Sequence, residues 1–172
     1  LRMYFLVVCT KNKKKVYIHH NTKCLYTSKN YDQNNIDFDS NITNSYKTNL
    51  DIYKTNPFSL QELYTYIEKD HDVNALKNKI DTLIYLFSKA IIIPLCNLDK
   101  LKNNTSFQLF GIDILIDKNL DPFILEVNKG PDMTPKDDRD KIFKKKVLED
   151  VFDKLKIIKT KTPNLFKRIN TN

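Results

Sequence analysis

Two apolar runs, Phe107 to Ile116 and Pro122 to Val127, flank the polar segment Asp117-Lys118-Asn119-Leu120-Asp121. Runs rich in Ile, Leu, Phe and Val on either side of a short polar turn predict two adjacent antiparallel strands. The first run carries a carboxylate, Asp113, and a buried carboxylate without a partner is costly or takes up a proton. A turn centred between Asn119 and Leu120 places Asp113 opposite Glu126, with Asn128 two residues further on and on the same face. Directly opposed residues have Cβ atoms roughly 4.5–5.5 Å apart, so the two carboxylates repel unless a proton or cation lies between them. A solvated face would remove that demand, but both runs are apolar on both faces and argue for burial. Asp, Glu and an Asn amide form a hard, all-oxygen set that suits Mg²⁺ shared with phosphates better than zinc or copper. Gly111 shares the face of Asp113, and its missing side chain leaves room for a ligand over the sheet.

The rest of the chain supplies material to cover such a hairpin. Met3 to Cys9 and Val16-Tyr17-Ile18 predict a second hairpin around the polar turn Lys11 to Lys15, with a third short strand over Cys24 to Thr27. Residues 30–56 are rich in Asn, Asp, Ser and Thr and read as a long loop with one short ordered segment. Ser59 with Glu62 three residues later is a capping box, and Leu60, Leu63, Tyr64 and Ile67 share a face of the helix that follows, over 59–69. A second helix over 73–92 carries Leu76, Ile80, Leu83, Ile84, Phe87 and Ile91 at helical steps and ends at Pro94. Thr134, Pro135 and Asp137 predict the start of a last helix over 135–156. Its inward face is Phe143, Val147, Val151 and Leu155, while Lys141, Lys144, Lys145 and Lys146 face water. The expected fold class is α/β (α+β): a mostly antiparallel sheet flanked by helices. The basic tail after Lys156 is expected to be loose.

Composition closes off several functions. With glycine only at 111 and 130, neither a Walker loop nor a dinucleotide-binding glycine fingerprint can be built. Cys9, Cys24 and Cys96 show no CxxC or Cys/His rhythm, which predicts reduced thiols in a cytoplasmic setting and neither a disulfide framework nor a zinc finger. The N-terminal run lacks the length of a spanning helix and a signal-peptide cleavage site, so no membrane partner is expected. It also begins inside an apolar strand, as a piece of a longer polypeptide would. The length of 172 residues with 41% hydrophobic residues allows one core and not two. A formal charge of +8 suits an acidic partner. The Lys11–Lys15 turn and the Lys141–Lys146 helix face read first as solvated charge and, functionally, as docking surfaces for an acidic peptide. The aromatics fall mostly at core spacings, so nucleic acid is an unlikely partner. His19, His20 and His71 have no partners at recognisable spacing and stay outside the candidate site.

The stretch Phe107-Gln108-Leu109-Phe110-Gly111-Ile112-Asp113, with Asp117, Leu120 and Ile124-Leu125-Glu126-Val127-Asn128, closely resembles the metal-binding hairpin of tubulin–tyrosine ligase-like proteins, which are ATP-grasp ligases. Arg2-Met3-Tyr4-Phe5-Leu6-Val7 is similar to the family's Arg-containing strand, and Asn41-Ile42-Thr43-Asn44 to its His-Leu-Thr-Asn segment. The resemblance implies an ATP-grasp-like fold and an ATP- and Mg²⁺-dependent carboxylate–amine ligase that joins an amino acid to a protein through an acyl-phosphate. It implies Asp113, Glu126 and Asn128 as metal ligands, Arg2 and Glu126 as catalytic groups, and Thr43, Asn44 and Lys129 near the phosphates. The implied partners are a free amino acid and a tubulin-like protein with an acidic tail, and the implied location is cytoplasmic and cytoskeleton-associated. Residues 1–158 then form the C-terminal portion of the ligase domain and 159–172 a basic, flexible tail. The family's second substrate-facing Arg is replaced by Leu25, which leaves Lys23 or Lys29 to supply that charge. The adenine-side lysines would precede Arg2, so the isolated chain is expected to bind ATP weakly. Tyrosine, glutamate and glycine stay open as the added group. The alternative is a degenerate copy acting as a basic binding module for acidic peptides or nucleic acid.

Overall fold

The continuous apolar run Met3–Cys9 has no polar face to turn to water, so it must lie inside a sheet covered on both sides. In the computed structural model it is the central strand. The structure describes residues 1–10, 13–34, 37–43, 50–95 and 105–171. In chain order the elements are β1 (Arg2–Thr10), β2 (Lys13–His19), α1 (Phe38–Asn41), a 3-10 turn (Leu50–Lys54), α2 (Leu60–Ile67), α3 (Val73–Leu95), β3 (Ser106–Ile116), β4 (Pro122–Lys129), α4 (Asp138–Lys154) and β5 (Phe166–Ile169). The strands form one sheet in the order β4-β3-β1-β2-β5, and every neighbouring pair is antiparallel.

Alternation along β1 sorts the core into two layers. Met3, Phe5, Val7 and Cys9 pack with Phe110, Ile112 and Ile114 of β3 against α2 and α3. Tyr4, Leu6 and Val8 pack on the other side against Phe58 and the face Phe143, Val147 and Val151 of α4. The fold is α+β, as the sequence predicts. Ser59 caps α2, its Oγ accepting from the Glu62 N–H at 3.3 Å, while Glu62 accepts from the Phe58 N–H at 3.0 Å.

Several boundaries differ from the sequence reading. Pro94 lies inside α3, one residue before its end; so near the terminus its missing N–H forfeits a single helical bond. Asp137, not Thr134, caps the last helix, its carboxylate accepting from the Asp140 N–H at 2.7 Å. The stretch after Cys24 forms no strand; Lys23 alone bridges to Arg2 and to Ser59. Among the described residues, the loop before α2 holds two short ordered segments, α1 and the 3-10 turn. Cys9 is disulfide-bonded while Cys24 is a buried free thiol. The expectation of reduced thiols rests on wide spacing along the chain, which does not measure distance in the folded protein.

The tail expected to be loose contributes β5, which pairs with β2 from Val16↔Ile169 to His19↔Phe166. Its anchor is Asp150 of α4, fully buried. Asp150 accepts from His19 Nε2 at 3.0 Å, Lys146 Nζ at 2.7 Å and the Leu165 N–H at 3.0 Å. His19 Nδ1 accepts from the Asn21 N–H at 3.0 Å, so the ring is neutral with its proton on Nε2. Burial, foremost, pushes the His19 pKa below the ordinary histidine value, against the pull of Asp150.

A depressed folded-state pKa means that the unfolded chain binds the extra proton first. The contribution of His19 is therefore complete above the unfolded value of about 6.5 and is lost as pH falls from there through the lower folded value. The melting temperature is expected to drop as the buffer goes from about pH 7 to about pH 5, and His19→Gln is expected to flatten that drop. An unchanged slope in the variant would contradict the assignment.

Candidate active site

A row of ionisable residues crosses the sheet at the end where β1 begins. Lys23 bridges to Arg2, Arg2 pairs with Asp113 on β3, and Asp113 pairs with Glu126 on β4. Directly paired residues share a face, so all four project to the α4 side, as does Asn128, the partner of Gly111.

The predicted opposition of Asp113 and Glu126 is present for a reason the sequence reading did not contain. Near the turn the register is Ile116↔Pro122 to Ile114↔Ile124; beyond a bulge it is Asp113↔Glu126 to Phe110↔Lys129. Leu125 is the inserted residue. Without that bulge Glu126 would point to the opposite face. The turn is held by Asp117, whose carboxylate accepts from the Asn119 and Asp121 N–H groups at 2.8 Å each. Leu120 adopts φ 58° to close it.

Asp113 is neutralised within the protein. Arg2 donates to both of its oxygens, Nε to Oδ1 and Nη2 to Oδ2, the latter at 2.7 Å. This bond holds the Arg2 pKa above its ordinary value; burial opposes the rise, and the nearby Asp113 and Glu126 charges support it. Arg2 Nη1 has no partner among the described residues. Glu126 is exposed, on the edge strand β4, and its Oε1 accepts from Asn128 Nδ2 at 2.7 Å. The burial expected for both carboxylates is met only in part at Asp113, whose side chain is 17% exposed, and not at Glu126, because an edge strand keeps one side open to water. Gly111 does not make room for a ligand: a Cβ there would lie 2.8 Å from Pro131 Cβ and 3.1 Å from Arg2 Cδ. The missing side chain is filled by the Arg2 stem and by the loop after β4.

Of the other predicted site residues, Lys129 is paired with Phe110, which places it on the α3 side, away from Asp113, Glu126 and Asn128. Thr43 is exposed after α1, with no hydrogen bond to this row among the described residues, and Asn44 lies outside them. Lys29 is a surface residue paired with Asp37 at 2.6 Å. Lys23 is committed elsewhere: its ammonium is buried, donates to Asp140 at 2.7 Å and lies 5.0 Å from the Phe58 ring centroid.

That last cluster escaped the sequence reading. Asp140, fully buried, also pairs with Lys144 at 3.0 Å and accepts from the Lys136 N–H at 3.0 Å. Lys144, expected to face water, is 7% exposed and also donates to the Thr134 carbonyl at 2.7 Å. Burial would raise the Asp140 pKa, but Lys23 and Lys144 outweigh it and hold the group ionised. The cluster ties α4 to the 131–136 loop and, through the two Lys23–Arg2 backbone bonds of 2.7 and 3.0 Å, to the start of β1. The signal available was the i,i+4 spacing of Asp140 and Lys144.

The side chains of Asp113, Glu126 and Asn128 offer hard oxygen donors, the kind a divalent cation such as Mg²⁺ takes. After bonding Arg2, each Asp113 oxygen retains a lone pair, Glu126 is open to solvent, and Asn128 adds an amide oxygen. Arg2 cancels one of the two negative charges of Asp113 and Glu126, which leaves these three residues with one. Mg²⁺ typically takes one or two carboxylates and completes its shell with phosphates and water.

The tubulin-tyrosine ligase family model matches residues 1–165. The chain belongs to the tubulin-tyrosine ligase family. Its sheet and helices form the ATP-grasp-like α+β architecture implied by that membership. A probable tubulin polyglutamylase, ttll-9 of Caenorhabditis elegans, is 33% identical over 104 residues, 59% of this chain and 24% of the relative. The probable tubulin polyglutamylase TTLL2 of Mus musculus is 28% identical over 170 residues, 90% of this chain and 30% of the relative. Tubulin glycylase 3D of Tetrahymena thermophila is 32% identical over 96 residues, 56% of this chain and 9% of the relative. The chain spans less than a third of the length of each of these three relatives.

Proposed function

We propose that the chain is the C-terminal portion of an ATP- and Mg²⁺-dependent ligase that joins an amino acid to a tubulin-like protein. The observation that carries this reading is the cross-sheet row in which Arg2, Asp113 and Glu126 stand side by side on one face with Asn128 beside them. Asp113, Glu126 and Asn128 would hold Mg²⁺, which when bound neutralises phosphate charge during phosphoryl transfer. ATP then activates a carboxylate as an acyl-phosphate, and an amine displaces the phosphate to form the amide.

The chain's own residues have separable parts in this. Arg2 is a fixed, fully charged donor: its Nε and Nη2 are held by Asp113, so Nη1 is aimed without further ordering cost and serves a phosphate or substrate carboxylate. Asp113 orients Arg2 as well as contributing oxygen. Glu126, on the open edge, is the carboxylate a ligand reaches first. Lys129, on the opposite face, and Gly111, filled by Pro131, take no part. The polyglutamylase and glycylase names of the relatives support tubulin as the protein substrate, with a cytoplasmic, cytoskeleton-associated place of action.

The reading is tested by incubating the full-length protein with tubulin, ATP, Mg²⁺ and labelled tyrosine, glutamate or glycine in turn. ATP-dependent incorporation of one of the three is expected. Incorporation of none above a no-ATP control would overturn the reading.

A further inference from the structure

The charge of this chain is segregated. No Asp or Glu occurs before Asp32 and none after Asp153, and the sheet brings these two acid-free stretches together as β2 and β5. Arg168 pairs with Tyr17, Lys15 shares the Tyr17 face two residues earlier, and Lys154 Nζ lies 5.0 Å from the centroid of the Tyr17 ring. The connection from α4 to β5 adds Lys156, Lys159 and Lys161, all exposed. None of these six cations has an ion-pair partner among the described residues, whereas Lys145 and Lys146 on α4 both do.

An apolar tip stands inside this field. Ile157 is 63% exposed and Ile158 44%, with Phe152 beside them at 39%. The tip is built: the Ile157 N–H donates to the Phe152 carbonyl at 2.9 Å. The Asp153 carboxylate accepts from the Thr160 N–H at 3.2 Å and from Asn164 Nδ2 at 2.8 Å. Lys156 takes φ 61° to make the reversal. Two adjacent isoleucines held out into water by an ordered loop gain nothing from an acidic peptide or a nucleic acid, both of which offer charge. A bilayer offers phosphate at its surface and hydrocarbon just beneath.

We propose that the face formed by β2, β5 and the α4–β5 connection docks on an anionic phospholipid bilayer, Ile157 and Ile158 entering the boundary between headgroups and acyl chains while the cations lie against lipid phosphates. No helix among the described residues is long and apolar enough to cross a membrane, so the contact is peripheral. This departs from the expectation of no membrane partner, which considered only spanning segments. It does not depend on the ligase reading.

The test is co-sedimentation of the protein with vesicles of phosphatidylcholine alone and of phosphatidylcholine with phosphatidylserine. Binding is expected only to the second and is expected to weaken with salt. Replacing two lysines, Lys156→Gln with Lys159→Gln, is expected to lower affinity roughly thirtyfold. Ile157→Ser with Ile158→Ser is expected to lower it roughly tenfold while leaving the melting temperature unchanged, since both side chains are exposed. Equal binding to the two vesicle types, no vesicle binding, or full binding by the isoleucine variant would overturn the proposal. Capture by polyglutamate or by RNA with no vesicle binding would overturn it in favour of an acidic-peptide or a nucleic-acid surface.

Discussion

Glu126→Gln in the full-length protein is expected to lower ATP-dependent ligation by more than about a hundredfold while leaving the fold intact. The substitution removes one negative charge from an exposed edge-strand position and keeps an oxygen that can still accept from Asn128. It leaves the part-buried Arg2–Asp113 pair untouched. Structural and chemical roles therefore separate cleanly at this residue: the melting temperature is expected to stay within a degree or two of the wild type, a surface substitution being worth about 0.5 kcal/mol or less. Asp113→Asn does not separate them, because it releases the charge of Arg2 as well. The check is the rate of amino-acid incorporation beside a thermal melt of the same preparation. Turnover close to wild type would remove Glu126 from the chemistry.

The second large effect is expected away from the reacting groups. Asp140→Ala leaves two buried ammonium groups, Lys23 and Lys144, and the Lys136 N–H without their shared acceptor. Breaking a buried pair from one side costs about 3–5 kcal/mol, more than the pair contributes in net stability, because the surviving charge stays desolvated. For a domain of this size that corresponds to a melting temperature lower by roughly 10 °C. Asp137→Ala, which removes only the cap of α4, is expected to cost about 1 kcal/mol. Denaturant unfolding of both variants measures the contrast, and a loss at Asp140 no greater than that at Asp137 would contradict the account. The folded-state pKa of Asp140 is depressed. Its contribution is thus present above the unfolded carboxylate value of about 3.9 and is lost as pH falls through the lower folded value.

The hairpin was legible because side-chain alternation is strict: once two apolar runs face each other across a short turn, the pairing decides which residues share a face. Its legibility was partly accidental. The turn is centred on Asn119, so the register beside it is one residue off the one the sequence suggests, and the bulge at Leu125 restores the pairing of Asp113 with Glu126. A bulge leaves little trace in sequence, since the inserted residue is another leucine in an apolar strand.

The capping box at Ser59 was legible because both of its residues are local. The start of α4 was not, since Thr134-Pro135 and Asp137 both resemble helix starts and only the folded loop selects Asp137. The β5 strand was hidden because four residues in a lysine-rich tail carry no usable period; it is held by Asp150 and by pairing with β2.

The clearest shortfall concerns charge. Arg2, expected to face a ligand, first answers the part-buried carboxylate of Asp113, and Lys144, expected to be solvated, closes a buried cluster. In both cases the partner lies across the sheet or one helical turn away, and sequence spacing reports the second kind of neighbour but not the first. Lys129 stands apart from the row for the opposite reason: adjacency to Asn128 in the chain puts it on the other face of the strand.

Calorimetric titration of the full-length protein with ATP asks whether Asp113, Glu126 and Asn128 hold a divalent ion for the nucleotide. Binding is expected with Mg²⁺ present, to fall at least about tenfold when Mg²⁺ is chelated, and to fall similarly in Glu126→Gln with Mg²⁺ restored. ATP binding that is equally tight with and without Mg²⁺, and unchanged in Glu126→Gln, would contradict that role.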